Sequence, residues 1–329
     1  MESLPTRKAI EPARIRAWEI VVWLIALAMW FVAPKYAPLL NEIAILALFA
    51  VSLDLILGYS GIVSLGHAAF FGTGTYVAAL FAKHVIPDPI VGLLAAVAVS
   101  TLLGFLTSAL VLRGTDLTRL MVTLGVALIL YELANRFDNI TGGADGLQGV
   151  VTGPLFGTFA FDLGGRVAYL YSLTILFVLF MLARRIINAP FGYGLRAIRD
   201  NPRRAAAIGI PVNRRLIAVY TLAAAYAGTA GALLAQTTNF ASLDALDFHR
   251  SADVLLALVL GGVGWLYGGI LGTVAFKLMH DFISALTPQY WQFWIGLVFV
   301  VLMVAGRDRL SAGMRRLLRI GPTRTGTER

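Results

Sequence analysis

Long apolar stretches recur along almost the whole chain, separated by short polar segments, and nothing else constrains the fold as tightly. A hydrocarbon core of about 30 Å takes around 20 apolar residues as a helix, and inside lipid a helix satisfies its own backbone hydrogen bonds. Ten segments fit that description: Ala17 to Val32, Glu42 to Leu57, Ala68 to Ala82, Ile90 to Leu112, Leu117 to Ala134, Val167 to Ala183, Leu216 to Gln236, Asp253 to Val263, Gly268 to Leu286 and Trp291 to Ala305. Asn135 to Arg166 is too hydrophilic to cross. With 58% hydrophobic residues, 14% charged and a mean hydropathy of +0.79, the chain is no ordinary soluble domain. The expectation is an all-α integral membrane protein, a bundle of about ten spans in one transmembrane domain over residues 17–306. The first span follows Arg7, Lys8, Arg14 and Arg16 like the start of a signal peptide, but no convincing cleavage site follows, so it is expected to be a retained helix.

The net charge of +9 would suit nucleic acid if it lay on a folded surface, but it does not. Of 27 Lys and Arg, 21 fall in Met1 to Arg16, Arg113 to Arg119, Arg184 to Arg215 and Arg307 to Arg329. With ten spans these four segments share one side, and the positive-inside rule makes it the cytoplasm. Lys35, Lys83, Arg136, Arg166 and Arg250 fall opposite, and Lys277 lies within a span. The reading is a multi-pass protein of a bacterial cytoplasmic membrane with both termini inside, a basic N-terminus at 1–16, a loop at 184–215 and a basic tail at 307–329. Arg315, Arg316 and Arg319 in that tail suit either anionic lipid or solvent. No nucleic-acid partner is expected. Without cysteine, thiolate chemistry and Cys-ligated metals are excluded.

Within the third basic segment, Pro190 to Val212 forms a polar, arginine-rich island. Asn201 can cap a helix N-terminus and Pro202 suits its first position. Gly209 and Pro211 stop it. The spacing predicts one helix over Pro202 to Ile208, too short to be stable alone. Either it docks on a partner or the island is simply a basic loop.

Two glycine-dense stretches interrupt the spans, Gly58 to Gly74 and Gly261 to Gly272. They serve close helix packing, the commoner use, or broken helices beside a solute path. On the second reading Gly58, Gly61, Ser64, Gly66, His67, Gly261, Gly262 and Gly264 are the path candidates, although a lone His is more often structural. Lys277 and Asp281 can pair one turn apart, with His280 beside them. Asp54 sits near the cytoplasmic end of its span. Phosphate-loop, zinc-protease and serine-hydrolase signatures are missing, so no catalytic residue, metal site or bound cofactor is expected. If the work needs ATP, another chain hydrolyses it.

Taken in order, LDLILGYSGIVSLGHAAFFGTGTYVAAL, VTLGVAL, NITGGADGL, GLRAIRDNPRRAAAIGI and LALVLGGVGWLYGGILG resemble the LivM-type permeases of branched-chain amino acid ABC importers, over about Leu53 to Phe276. The resemblance implies a second related permease, two cytoplasmic ATPases that use ATP, and an extracytoplasmic solute-binding protein. It also implies that the island touches an ATPase, with Arg196, Ala197, Arg199, Asp200, Asn201, Ala205 and Gly209 as the coupling-loop residues. The sequence departs from the family at Ala206, where an acidic residue is frequent, and at Trp265 and Gly269, where serine and proline are. Relatives are associated with urea, amides or other amino acids. The alternative is a self-sufficient facilitator or channel, which has no need of a docking helix.

Overall fold

The computed structural model describes residues 17–300 except 115, 163, 287, 291, 292, 298 and 299. Twelve α-helices follow one another between residues 17 and 286: α1 (Ala17–Val32), α2 (Ala37–Ser60), α3 (Ala68–His84), α4 (Pro89–Val111), α5 (Asp116–Arg136), α6 (Asp138–Thr141), α7 (Arg166–Ile187), α8 (Pro190–Asp200), α9 (Pro202–Ala207), α10 (Val212–Thr238), α11 (Phe248–Gly261) and α12 (Leu266–Leu286), and residues 293–297 are helical as well. The described residues form isolated bridges, Leu147 with Ala241 and Leu155 with Phe159, and no strand. Nine of the ten expected spans hold one of these twelve. Six stretches are long and apolar enough to cross a membrane: α2 with the short turn before it, α4, α5, α7, α10 and α12. With 16, 17 and 14 residues, α1, α3 and α11 are shorter. The tenth expected span falls largely outside the described residues, as do segments 1–16 and 307–329.

Burial sorts the helices. α2 is apolar on all sides, the pattern of a helix enclosed by others, and Phe49, Leu53 and Ile56 are fully buried. α10 packs beside it and lies most extensively against α3 and α4. Glycines make that approach possible. A Cβ on Gly74 would strike the backbone of Gly228, one on Gly231 the carbonyl of Phe71, and one on Gly228 the side chain of Ser100, so α3, α4 and α10 meet with almost no side chain between them. α4 and α5 turn Leu94, Phe105, Leu128 and Ile129 outward, as lipid or a second subunit requires and water does not.

α1 is held to α7 by the buried ion pair of Glu19 and Arg184. The Tyr267 hydroxyl donates to the same carboxylate at 3.3 Å, and the Trp18 ring meets Tyr267 edge-on at 4.6 Å. Among the described residues, those up to 274 make one compact unit and those from 275 a second. In the second, Lys277 Nζ lies 3.4 Å from the Asp281 carboxylate, the expected one-turn pair.

The start of α2 lies far from the island. There the Asn41 amide donates to Thr237 Oγ1 at 3.1 Å and accepts from Ser172 Oγ at 2.6 Å. Tyr171 donates its hydroxyl to Gln236, whose amide donates to the Pro89 carbonyl. These neutral groups join the far ends of α2, α4, α7 and α10.

Candidate functional site

The island folds as two helices rather than the single one expected. α9 ends at Ala207 with Ile208 as its cap, essentially the predicted helix. The Asn201 side chain accepts the Arg204 N–H at 3.0 Å. Gly209 has φ +85°, and the Gly209 and Ile210 N–H groups donate to the carbonyls of Ala206 and Ala205, the paired bonds of a left-handed helix end. α8 is the helix the sequence reading missed, because Gly192 and Gly194 are poor helix formers. Their value lies in proximity: a Cβ on Gly192 would strike the Ile187 backbone, and one on Gly194 the Arg215 guanidinium. Arg215 donates to the carbonyls of Pro190 and Phe191 at 2.9 and 3.0 Å, fixing α8 to the first turn of α10.

Ala205 turns inward, onto Ile62, Ile198 and Leu216. α9 therefore presents Arg203, Arg204, Ala206 and Ala207 to the outside, with Ile208 70% exposed at its end. Pro202, Arg203, Ala206, Pro211 and Arg214 line a surface hollow of about 540 Å³. Ala197, Asp200 and Asn201 complete the expected coupling-loop set. Ala197 packs at the edge of the Ile62 cluster, while Asp200 and Asn201 are exposed.

Beneath this platform the structure brings together residues from three distant stretches. Arg199 Nη1 donates to the Gly58 carbonyl at 2.6 Å. That carbonyl belongs to the last turn of α2, where carbonyls lack helical partners and a cation is favoured. Arg196 lies over the Tyr59 ring at 5.2 Å and near Tyr193 at 5.5 Å. One turn before Gly58, the buried Asp54 carboxyl accepts the Gly264 N–H at 2.7 Å. Gly264 (φ +81°) and Gly262 (φ +107°) form the turn from α11 to α12, a backbone conformation that L-residues rarely adopt.

Three glycines make this meeting possible. A Cβ on Gly58 would collide with the Asp54 carboxyl and approach Gly264 N to 2.5 Å. Gly61 caps α2 with φ +75°, and a Cβ there would meet Arg199 Cγ at 3.0 Å. Gly264 faces Gly58 and the Arg199 guanidinium. Of the expected path candidates, then, Gly58, Gly61 and Gly264 sit under the island rather than in mid-span.

Ser64, Gly66 and His67 lie elsewhere, in the break between α2 and α3. His67 is fully buried, stacked on Phe49 with Nε2 2.9 Å from Ser52 Oγ. His67 Nδ1 and the buried Ser64 Oγ have no hydrogen-bond partner among the described residues. A Cβ on Gly66 would strike the Thr123 carbonyl of α5, and the Ala68 N–H donates to Ser251 of α11. This break is thus closed in by helices. Gly261 packs against Gly268 and Gly272, bringing α11 back along α12.

Asp54 and Tyr59 were not among the expected site residues. In the sequence Asp54 stands out only for its place near the cytoplasmic end of its span; it precedes Gly58 by one helical turn, a spacing that places both on one face and could have singled it out. Among the described residues no group of three or more His, Asp or Glu is placed to hold a metal.

A model of the family described as branched-chain amino acid transport system, permease component, matches residues 36–303. The chain is 30% identical to the high-affinity branched-chain amino acid transport system permease protein LivM of Escherichia coli, over 90% of this chain and 75% of that one. It is 31% identical to LivM of Salmonella typhimurium, over 78% of this chain and 65% of that one. The galactose/methyl galactoside import permease protein MglC of Haemophilus influenzae is 28% identical over 67% of each. No solved structure matches. The chain belongs to the branched-chain amino acid permease family.

Proposed function

We propose that this member of the branched-chain amino acid permease family is the membrane-spanning subunit of an ATP-driven importer. It moves a branched-chain amino acid, or a related small polar solute, handed over by an extracytoplasmic binding protein. Two cytoplasmic ATPases hold and hydrolyse the ATP, and a second related permease completes the channel. Both termini lie in the cytoplasm, as the segregation of Lys and Arg supports. This chain carries no catalysis of its own. Because Ser64, Gly66 and His67 are closed in, the reading puts the solute path along the junction of the two permeases rather than inside one.

The observation that carries the proposal is the island's construction. α8 is fixed to α10 through Arg215 and to α2 through Arg199, α9 follows it with its own cap at Asn201, and the outer face of α9 is left open. A self-sufficient facilitator has no use for such a platform. Amino acids are preferred as solute because LivM proteins match over so much of the chain, although relatives named for galactose exist.

The test places a charge on the docking face without touching the packed core. Ala205 is unsuitable, being covered by this chain. Ile208→Glu sets a carboxylate in the contact, and each 1.4 kcal/mol lost weakens association about tenfold. Membrane insertion and pairing with the second permease should persist while ATPase co-purification and ATP-driven uptake are lost. A variant that keeps its ATPase and transports normally shows that the island is a basic loop and overturns the proposal.

A further inference from the structure

Resting on that reading, we infer that Arg199 is the residue through which movement of the α8–α9 platform reaches the transmembrane helices, with Asp54 as a second positioning residue that carries it on to the α11–α12 turn. The geometry is a chain of directional bonds. Arg199 holds the Gly58 carbonyl, Gly58 lies one turn beyond Asp54 on α2, and Asp54 holds the Gly264 N–H. Platform, α2 and turn are thereby joined within a few ångströms, although the sequence separates the three by 141 and 210 residues.

Arg196 adds a cation–π contact over the Tyr59 ring of α2, and the remaining contacts, made to Ile62 just beyond the end of α2, differ in kind. Ile198 and Ala205 pack on Ile62, and such apolar contact is non-directional: it resists compression but gives way when the surfaces slide. A short charge-assisted hydrogen bond from a planar guanidinium resists displacement in several directions. Arg199 is steadied by Asp200, whose carboxylate lies 3.3 Å from both Nε and Nη2. Its side chain is nevertheless 41% exposed, so water can replace it at the carbonyl and its contribution to stability is small. Three glycines clear the space for a contact worth little to the fold. That makes sense if the contact serves motion.

The experiment uses the complete transporter, with both permeases, the ATPases and the binding protein, in liposomes. The readouts are leucine taken up per ATP hydrolysed and ATPase co-purification. Arg199→Ala should keep the ATPase bound and hydrolysing while uptake per ATP falls about tenfold. Arg199→Lys, which can still donate to the Gly58 carbonyl, should recover part of the loss. Asp54→Asn keeps an oxygen for the Gly264 N–H and should stay close to wild type, whereas Asp54→Leu should behave like Arg199→Ala.

A second measurement does not depend on the solute. The chain has no cysteine, so cysteines introduced at the exposed Trp265 and Val85 carry spin labels without background. Vanadate trapping with ATP should change the distance between them in the wild-type background and leave it unchanged with Arg199→Ala. If uptake and hydrolysis fall together, or the labels still respond in Arg199→Ala, Arg199 is a structural contact only and the inference is wrong. Failure of the docking reading looks different: Ile208→Glu would then retain its ATPase.

Discussion

The two ends of α2 are tied down by opposite chemistry. Far from the island, the buried Asn41 and Ser172 and the partly buried Thr237 form direct bonds between neutral side chains. At the island end a partly exposed arginine holds a backbone carbonyl and a buried carboxyl holds a backbone N–H, with glycines in place of side chains. A buried neutral network is costly to open, because each separated group loses its partner without gaining water. A bond at the edge of solvent can break and re-form cheaply. The contrast is that of a fixed end and a working end.

The most damaging single change should be Gly58→Ala. Its methyl group would meet the Asp54 carboxyl and the Gly264 backbone, and backbone cannot swing aside. Overpacking of this kind costs about 1–3 kcal/mol, and ATP-driven uptake should be almost abolished while the protein still reaches the membrane. Uptake close to wild type would mean that the joint is looser than its geometry.

At the fixed end Asn41→Ala tests the opposite expectation. It strips Ser172 of its acceptor in a buried setting, a cost of about 1–3 kcal/mol. Thermal unfolding in detergent should move down accordingly. Uptake per folded molecule should not change, and a selective loss of transport would erase the distinction between the ends.

The smallest effect belongs to the loop before α11. Asp247 caps that helix through the His249 N–H, and its carboxylate lies 2.8 Å from His249 Nδ1. Partial burial pulls the Asp247 pKa upward, but the hydrogen bonds from the His249 N–H and ring, with the His249 and Arg250 charges, outweigh it and hold the pKa below the ordinary 3.8. The hydrogen bond to Asp247, then its charge, raises His249 above 6.5. The histidine's contribution is therefore complete below pH 6.5 and lost as pH rises through its higher folded value. The aspartate's is complete above 3.8 and lost as pH falls through its lower one. Because His249 is largely exposed, the change in unfolding midpoint should be slight. Asp247→Asn, which can still cap α11, should remove it.

What could be read from the sequence follows the range of the forces involved. The cap at Asn201 and the stop at Gly209 depend on neighbours within a few residues, so spacing alone located α9. The island's exposure follows from its arginines. α8 escaped notice because Gly192 and Gly194 satisfy contacts to Ile187 and Arg215 that propensity does not register. The inward turn of Ala205 depends on Ile62 and Leu216, and the Glu19–Arg184 pair joins residues 165 positions apart. Glycine density marked segments where helices end and backbones meet closely. It did not separate Gly58, Gly61 and Gly264 at the working end from Gly66, pressed against α5.

The seam of α3, α4 and α10 restricts where the molecule can deform. Where long side chains mesh, helices slide by small rotamer adjustments, the usual source of shear. At Gly74, Gly228 and Gly231 the partners are backbone and short side chains, so there are few rotamers to exchange. Displacing one helix along another would drive rigid peptide units into each other. These three helices therefore travel as a single block, and the conformational change of a transport cycle is left to the surfaces around it, where α2 meets the α11–α12 turn and the island.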